Sequence, residues 1–146
     1  RLELIAKNDK TAVYKDFAHS PSKLKATTAA VKQQYPNRKL IACMELHTFS
    51  SLNSTFLKEY HNSMETADEA YVYYSNHTLA HKKLAPITPE EVKQAFGSKN
   101  VTVFNHSNEL FELLKNKNWD NSVLLLMSSG NFDGINLNEF GSGLVK

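Results

Sequence analysis

Apolar positions along this chain come in two alternating rhythms. Short runs of aliphatic, β-branched and aromatic residues fall at Leu2–Ala6, Ala12–Phe17, Lys39–Met44, Ala70–Tyr74, Val101–Phe104 and Val123–Met127, and each reads as a strand. Between them apolar residues return at helical spacing. Leu24, Thr27, Thr28 and Val31 mark a helix over Pro21–Gln34, and comparable stretches predict helices over Ser54–Ala67, Pro89–Phe96, Ser107–Lys115 and, briefly, Leu137–Leu144. The helix at Pro89 has the clearest boundaries: Thr88 as cap, Pro89 in the first turn, Glu91 completing a capping box and Gly97 at the end. Strands alternating with helices predict an α/β fold, a Rossmann-like and mostly parallel sheet of about six strands flanked by helices.

Ligands of such a sheet gather beyond the carboxyl ends of its strands. That rule selects the loops Asp16–Ser20, Glu45–Ser51, Ser75–His81 and Ser128–Asn131, because each follows a predicted strand. Asn76–Ile87 is the longest irregular stretch. Its His77, His81, Lys82 and Lys83 make it polar, so it reads either as a substrate-contacting flap or as variable surface.

Composition narrows the function without naming it. The 146 residues suffice for one domain with its own core, and the start at Arg1, with strand alternation already running, is the expectation for a piece of a longer protein. A net charge of +2, with Lys and Arg dispersed, gives no basic stripe for nucleic acid and no membrane-surface patch. No long apolar segment and no secretory signal are present, which fits a cytoplasmic location. The single Cys43 lies within an apolar run and reads as a buried small hydrophobe. Metal spacing is absent: there is no CxxC pair, and His77 and His81 would share a face only if their loop were helical. Neither a Gly-x-Ser-x-Gly elbow nor a Gly-x-x-x-x-Gly-Lys-Ser/Thr phosphate loop occurs.

The richest chemistry lies in Tyr14-Lys15-Asp16-Phe17-Ala18-His19-Ser20-Pro21, which joins a strand to a helix. A helix N-terminus there favours anionic ligand groups. Asp16 can accept from a diol or simply order the turn; His19 can meet a phosphate or stand at the surface; Ser20 can cap the helix or meet a ligand. Asp16-Phe17-Ala18-His19-Ser20-Pro21 resembles the Asp-(Tyr/Phe)-(Ala/Gly)-His-x-Pro signature that opens the C-terminal domain of the Mur ligases. Met127-Ser128-Ser129-Gly130-Asn131-Phe132-Asp133-Gly134-Ile135 is similar to the Met-Ser-Asn-Gly-Gly-Phe-Asp-Gly-Ile run of their murein peptide ligase branch. Glu45-Leu46-His47-Thr48-Phe49-Ser50-Ser51 stands where that branch has a Glu-Pro-Arg-Ser-Asn-like loop and the alanine-adding branch a Gln-Pro-His-Arg-Tyr-like loop. In this loop the Arg of both is replaced. The resemblance runs from Arg1 to about Leu137.

What the resemblance implies is an ATP-dependent, amide-forming ligase. ATP activates a carboxylate as an acyl phosphate, and an amine attacks it. Asp16 and His19 would serve the nucleotide, while Ser20, His47, Ser50, Asn76, His77, Ser129 and Gly130 would meet substrate. Mg2+ and most phosphate contacts would come from a central domain that these residues lack. The partners would be UDP-N-acetylmuramate, a peptide or amino acid, and the enzyme's own N-terminal and central domains; the isolated domain would be inactive. An alanine-adding ligase and, in another class, a non-catalytic nucleotide-binding module remain open alternatives.

Overall fold

The computed structural model describes residues 1–146. Strand β1 (Glu3–Lys7) runs antiparallel to β2 (Thr11–Asp16), and the remaining pairs, with β3 (Lys39–Leu46), β4 (Glu69–Tyr74), β5 (Val101–Phe104) and β6 (Ser122–Met127), are all parallel. The sheet order is β1-β2-β6-β3-β4-β5. The predicted α/β class and strand count are thus what the chain adopts.

Burial on both faces explains why the central strands are almost continuously apolar rather than alternating. In β6 every residue is buried; Val123, Leu125 and Met127 enter one core layer, Leu124 and Leu126 the other. The first layer holds helix α1 (Pro21–Gln34), through Leu24 and Val31, together with Tyr60, Val92 and Phe96. The second is built on helix α4 (Ser107–Lys115), through Leu110, Phe111 and Leu114, and is flanked by helix α5 (Leu137–Leu144). Helix α1 leaves β2 on one face of the sheet while α5, which follows the neighbouring β6, packs on the other. The crevice between the carboxyl ends of β2 and β6 is therefore a topological switch point, the place where such sheets hold ligands.

Two sequence expectations are corrected. Ser54–Ala67 is not an α-helix: it holds a 3-10 turn over Phe56–Tyr60 and a string of turns. The Asn53 side chain accepts from the backbone N–H of Thr55 (2.9 Å) and Phe56 (3.1 Å), as a helix cap would, but Asn62 takes a left-handed φ of 61°, through which no helix continues. Backbone bonds there close over three residues rather than four, from the N–H of His61 to Lys58, of Ser63 to Tyr60 and of Ala67 to Met64. Conversely, the irregular stretch after β4 begins with a helix, α2 (Asn76–His81), because Ser75 Oγ accepts from the Thr78 N–H at 3.1 Å. Helix α3 (Pro89–Phe96) has both halves of its expected capping box and ends at Gly97 with φ +69°.

Candidate functional site

The parallel strands deliver their loops to one edge of the sheet in the order Asp16, Ser128–Asn131, Glu45–His47, Ser75–His77 and Asn105–His106. At the switch point lies a cavity of about 330 Å³, lined among others by Lys15, Asp16, Phe17, Ser128, Gly130 and Asn131. That volume is at the lower end of the range for small-molecule sites. Asp16 Oδ1 accepts from the Ala18 N–H at 2.7 Å, which fixes the carboxylate. Oδ2 pairs with the main-chain nitrogen of Arg1 at 3.6 Å. Phe17, 68% exposed, forms an apolar rim beside it.

His19 Nδ1 lies 2.8 Å from the Phe17 carbonyl, which can only accept, so the Nδ1 proton points there. In the neutral ring Nε2 is then an acceptor, and it donates to an anion only when the ring is protonated. Ser20 occupies the N-cap position of α1, yet its side chain makes no capping bond, leaving the hydroxyl available for another partner. Neither His19 nor Ser20 lines the Asp16 cavity.

Glu45, at the end of the apolar β3, is 2% exposed. A buried carboxylate needs partners. Oε1 accepts from Ser128 Oγ at 2.6 Å and from the Phe132 N–H at 2.9 Å, and Ser128 Oγ in turn accepts from the Gly130 N–H at 2.8 Å. One acid thereby ties the end of β3 to the loop after β6. The Gly130 N–H is thereby committed inside this network. Gly130 serves also through its lack of a side chain: a Cβ there would stand 3.2 Å from Glu45 Oε1 and from the His47 ring. Ser129 Oγ is buried without a partner.

The same loop carries an unusual backbone. Phe132 and Asp133 have φ of 56° and 64°, ahead of Gly134 at 88°. A bulky residue in the left-handed region costs on the order of 1–3 kcal/mol and persists only if its surroundings over-determine it. Here the Phe132 N–H goes to Glu45, its carbonyl accepts from Ser107 Oγ at 2.6 Å, and its fully buried ring lies between Tyr73 and Phe111.

Asn76 and His77 belong to a second cavity of about 400 Å³, with Tyr73, Asn105, His106 and Asp133. Burial first, and then the nearby Asp133 charge, push the Tyr73 phenol up, which keeps it a neutral donor. Helix α2 sets His77 and His81 on one face with ring centroids 6.4 Å apart, the helical case left open by the sequence. No group of three His, Cys, Asp or Glu side chains is positioned to hold a metal ion. Ser50 faces a third hollow with Phe49, Phe56 and Leu84, so it is not brought to either of the other cavities. Asn53, which lines the same hollow, spends its Oδ1 on its own turn. Sequence reasoning passed over Glu45 and Ser128 as site residues; the signal was an acid placed inside the buried run Leu40–Leu46.

The profile of the family described as "Mur ligase, glutamate ligase domain" matches residues 1–130. A UDP-N-acetylmuramate–L-alanine ligase of Lactobacillus acidophilus is 32% identical over 120 residues, covering 82% of this chain and 25% of that protein. The chain thus spans about a quarter of the length of such curated relatives. Among solved structures, a murein peptide ligase from Psychrobacter arcticus matches with a TM-score of 0.71 and 20% identity, over 99% of this chain and 30% of that one. A domain of a UDP-N-acetylmuramate:L-alanyl-gamma-D-glutamyl-medo-diaminopimelate ligase from Haemophilus ducreyi matches with a TM-score of 0.68 and 22% identity, over 99% and 97%. These two likenesses establish the fold.

Proposed function

Because the chain belongs to the family of the Mur ligase, glutamate ligase domain, we propose that it is the C-terminal domain of an ATP-dependent ligase that joins the peptide L-alanyl-gamma-D-glutamyl-meso-diaminopimelate to UDP-N-acetylmuramate in peptidoglycan recycling. The observation that carries this reading is Asp16, whose carboxylate, oriented by the Ala18 N–H, lines the cavity at the switch point of the sheet beside Ser128, Gly130 and Asn131. A carboxylate so placed can accept from the hydroxyls of a ribose. The neighbouring Glu45–His47 and Asn76–His77 segments then face the amine substrate.

In this reading Mg2+ and most phosphate contacts belong to the central domain, as the family resemblance implies. Domain closure would bring Asp16 and His19 onto the nucleotide and complete the site. With no phosphate loop in its sequence, the chain alone is expected to show neither ATPase nor ligase activity.

The choice of peptide over free L-alanine is supported by the Phe132-Asp133-Gly134 turn, which resembles the peptide-ligase branch, and by the polar cavity beyond it. L-Alanine is the second reading, favoured by the 32% identity to L-alanine ligases. The test is full-length enzyme with ATP and UDP-N-acetylmuramate, offered tripeptide or L-alanine, with phosphate release and amide product measured. Tripeptide-dependent product is the expected result. Turnover of L-alanine alone would replace the peptide assignment, and no amide with either amine would refute the ligase reading.

A further inference from the structure

Glu45 and His47 form a pair that the loop-tying role of Glu45 leaves unexplained. Both donors that hold the loop, Ser128 Oγ and the Phe132 N–H, go to Oε1. The other oxygen, Oε2, faces His47 Nδ1 at 3.5 Å. That nitrogen is itself buried and has no hydrogen-bond partner, although 40% of the His47 side chain is exposed. The exposed part of the ring is therefore its other atoms, and its Cδ2–Nε2 edge lies over Gly130, which itself lines the Asp16 cavity.

Protonation follows from elementary electrostatics. A lone pair on Nδ1 would point at a buried carboxylate and be repelled, whereas an Nδ1–H meets the one acceptor beside it. A gap of 3.5 Å is long for a hydrogen bond, but such contacts commonly tighten when the substrate complex forms. The neutral ring then carries its lone pair on Nε2. An acid orienting an imidazole in this manner is the arrangement that makes a proton acceptor.

We propose that Glu45 is a positioning residue that holds His47 with its Nδ1 proton toward Oε2, so that Nε2 takes a proton from the ammonium group of the incoming amine. This inference rests on the ligase reading above. In the step, R–NH3+ gives one proton to Nε2 and becomes R–NH2. The nitrogen lone pair attacks the carbonyl carbon of the acyl phosphate, the C–N bond forms, and the C–O bond to phosphate breaks with its electron pair going to the leaving phosphate. That phosphate takes the second nitrogen proton, and the imidazolium later returns its proton to solvent.

Glu45→Gln separates this role from loop-tying. The glutamine oxygen can still accept from Ser128 and Phe132, which leaves its NH2 group facing His47 Nδ1 and forces the proton to Nε2. Two measurements are made: the His47 tautomer by ¹⁵N-histidine NMR of the 146-residue chain, and steady-state kinetics of the full-length enzyme. Expected are an Nδ1–H tautomer in the wild type, an Nε2–H tautomer in the variant, and a kcat lowered at least about tenfold with KM for ATP unchanged. His47→Asn keeps a donor toward Glu45 but has no basic nitrogen to take up a proton, and the half-exposed side chain leaves room for the smaller amide; the same loss of kcat is expected. An Nε2–H tautomer in the wild type overturns the proposal whatever the enzyme does. Wild-type kcat in either variant overturns the proton-accepting step. A wild type with the expected tautomer but no ligase activity on any amine refutes the ligase reading, and the step with it, while leaving the pair intact.

Discussion

Replacing Glu69 by Gln tests how the edge of the sheet opposite the candidate site is held together. Glu69 opens β4 and collects three donors: Oε1 accepts from Lys117 Nζ at 2.6 Å and from the Tyr71 hydroxyl at 2.7 Å, while Oε2 pairs with Lys39 Nζ. Burial alone would raise its pKa, but the bonds from Lys117, Lys39 and Tyr71 outweigh it and lower the value from 4.5 to about 2. Such a depression sets a ceiling of about 3 kcal/mol. With the side chain 24% exposed, solvent screening brings the working figure to about 1–2 kcal/mol. Because the folded pKa lies below the unfolded one, the unfolded chain takes up the proton first. The contribution is fully present above pH 4.5 and is lost as pH falls toward about 2. Urea unfolding followed by circular dichroism should show Glu69→Gln less stable than wild type by about 1–2 kcal/mol at pH 7, with the gap closing through that acid window. Equal stability at pH 7, or a gap that persists unchanged at pH 2, would refute the reasoning.

Asp16→Ala in the full-length enzyme should weaken ATP use by roughly 1.5–3 kcal/mol, the range for a lost hydrogen bond to a charged group; a folded variant with unchanged ATP kinetics would remove Asp16 from the nucleotide site. Phe132→Ala should cost about 3–5 kcal/mol in thermal or urea unfolding, because a fully buried ring that packs between Tyr73 and Phe111 is deleted. A loss below about 1 kcal/mol would mean that the loop collapses readily and that the ring is not what holds its left-handed turn.

The alternation of short apolar runs with amphipathic stretches determined the fold class, all six strands and four of the five α-helices, since burial on two faces or on one stripe is written directly in the period of the apolar residues. The capping box at Thr88–Glu91 was equally legible because it is local chemistry over a few residues. Strand ends also announced which loops would share an edge, and Asp16 and the Ser128–Asn131 loop do meet in one cavity.

Elsewhere tertiary structure decided. Ser54–Ala67 carries enough apolar residues for a helix, yet the left-handed Asn62 and backbone bonds that close over three residues leave a 3-10 turn and a string of turns. The split of Asp16 and His77 between two cavities, and the turning of Ser50 toward a third, depend on strand order, which no local pattern encodes. Glu45 is the sharpest case. Its partners Ser128 and Phe132 lie more than eighty positions away in the chain, so its character as a buried, hydrogen-bonded acid beside His47 exists only once β3 and β6 are paired. The sequence determines which groups stand at strand ends; only long-range pairing decides which of them touch.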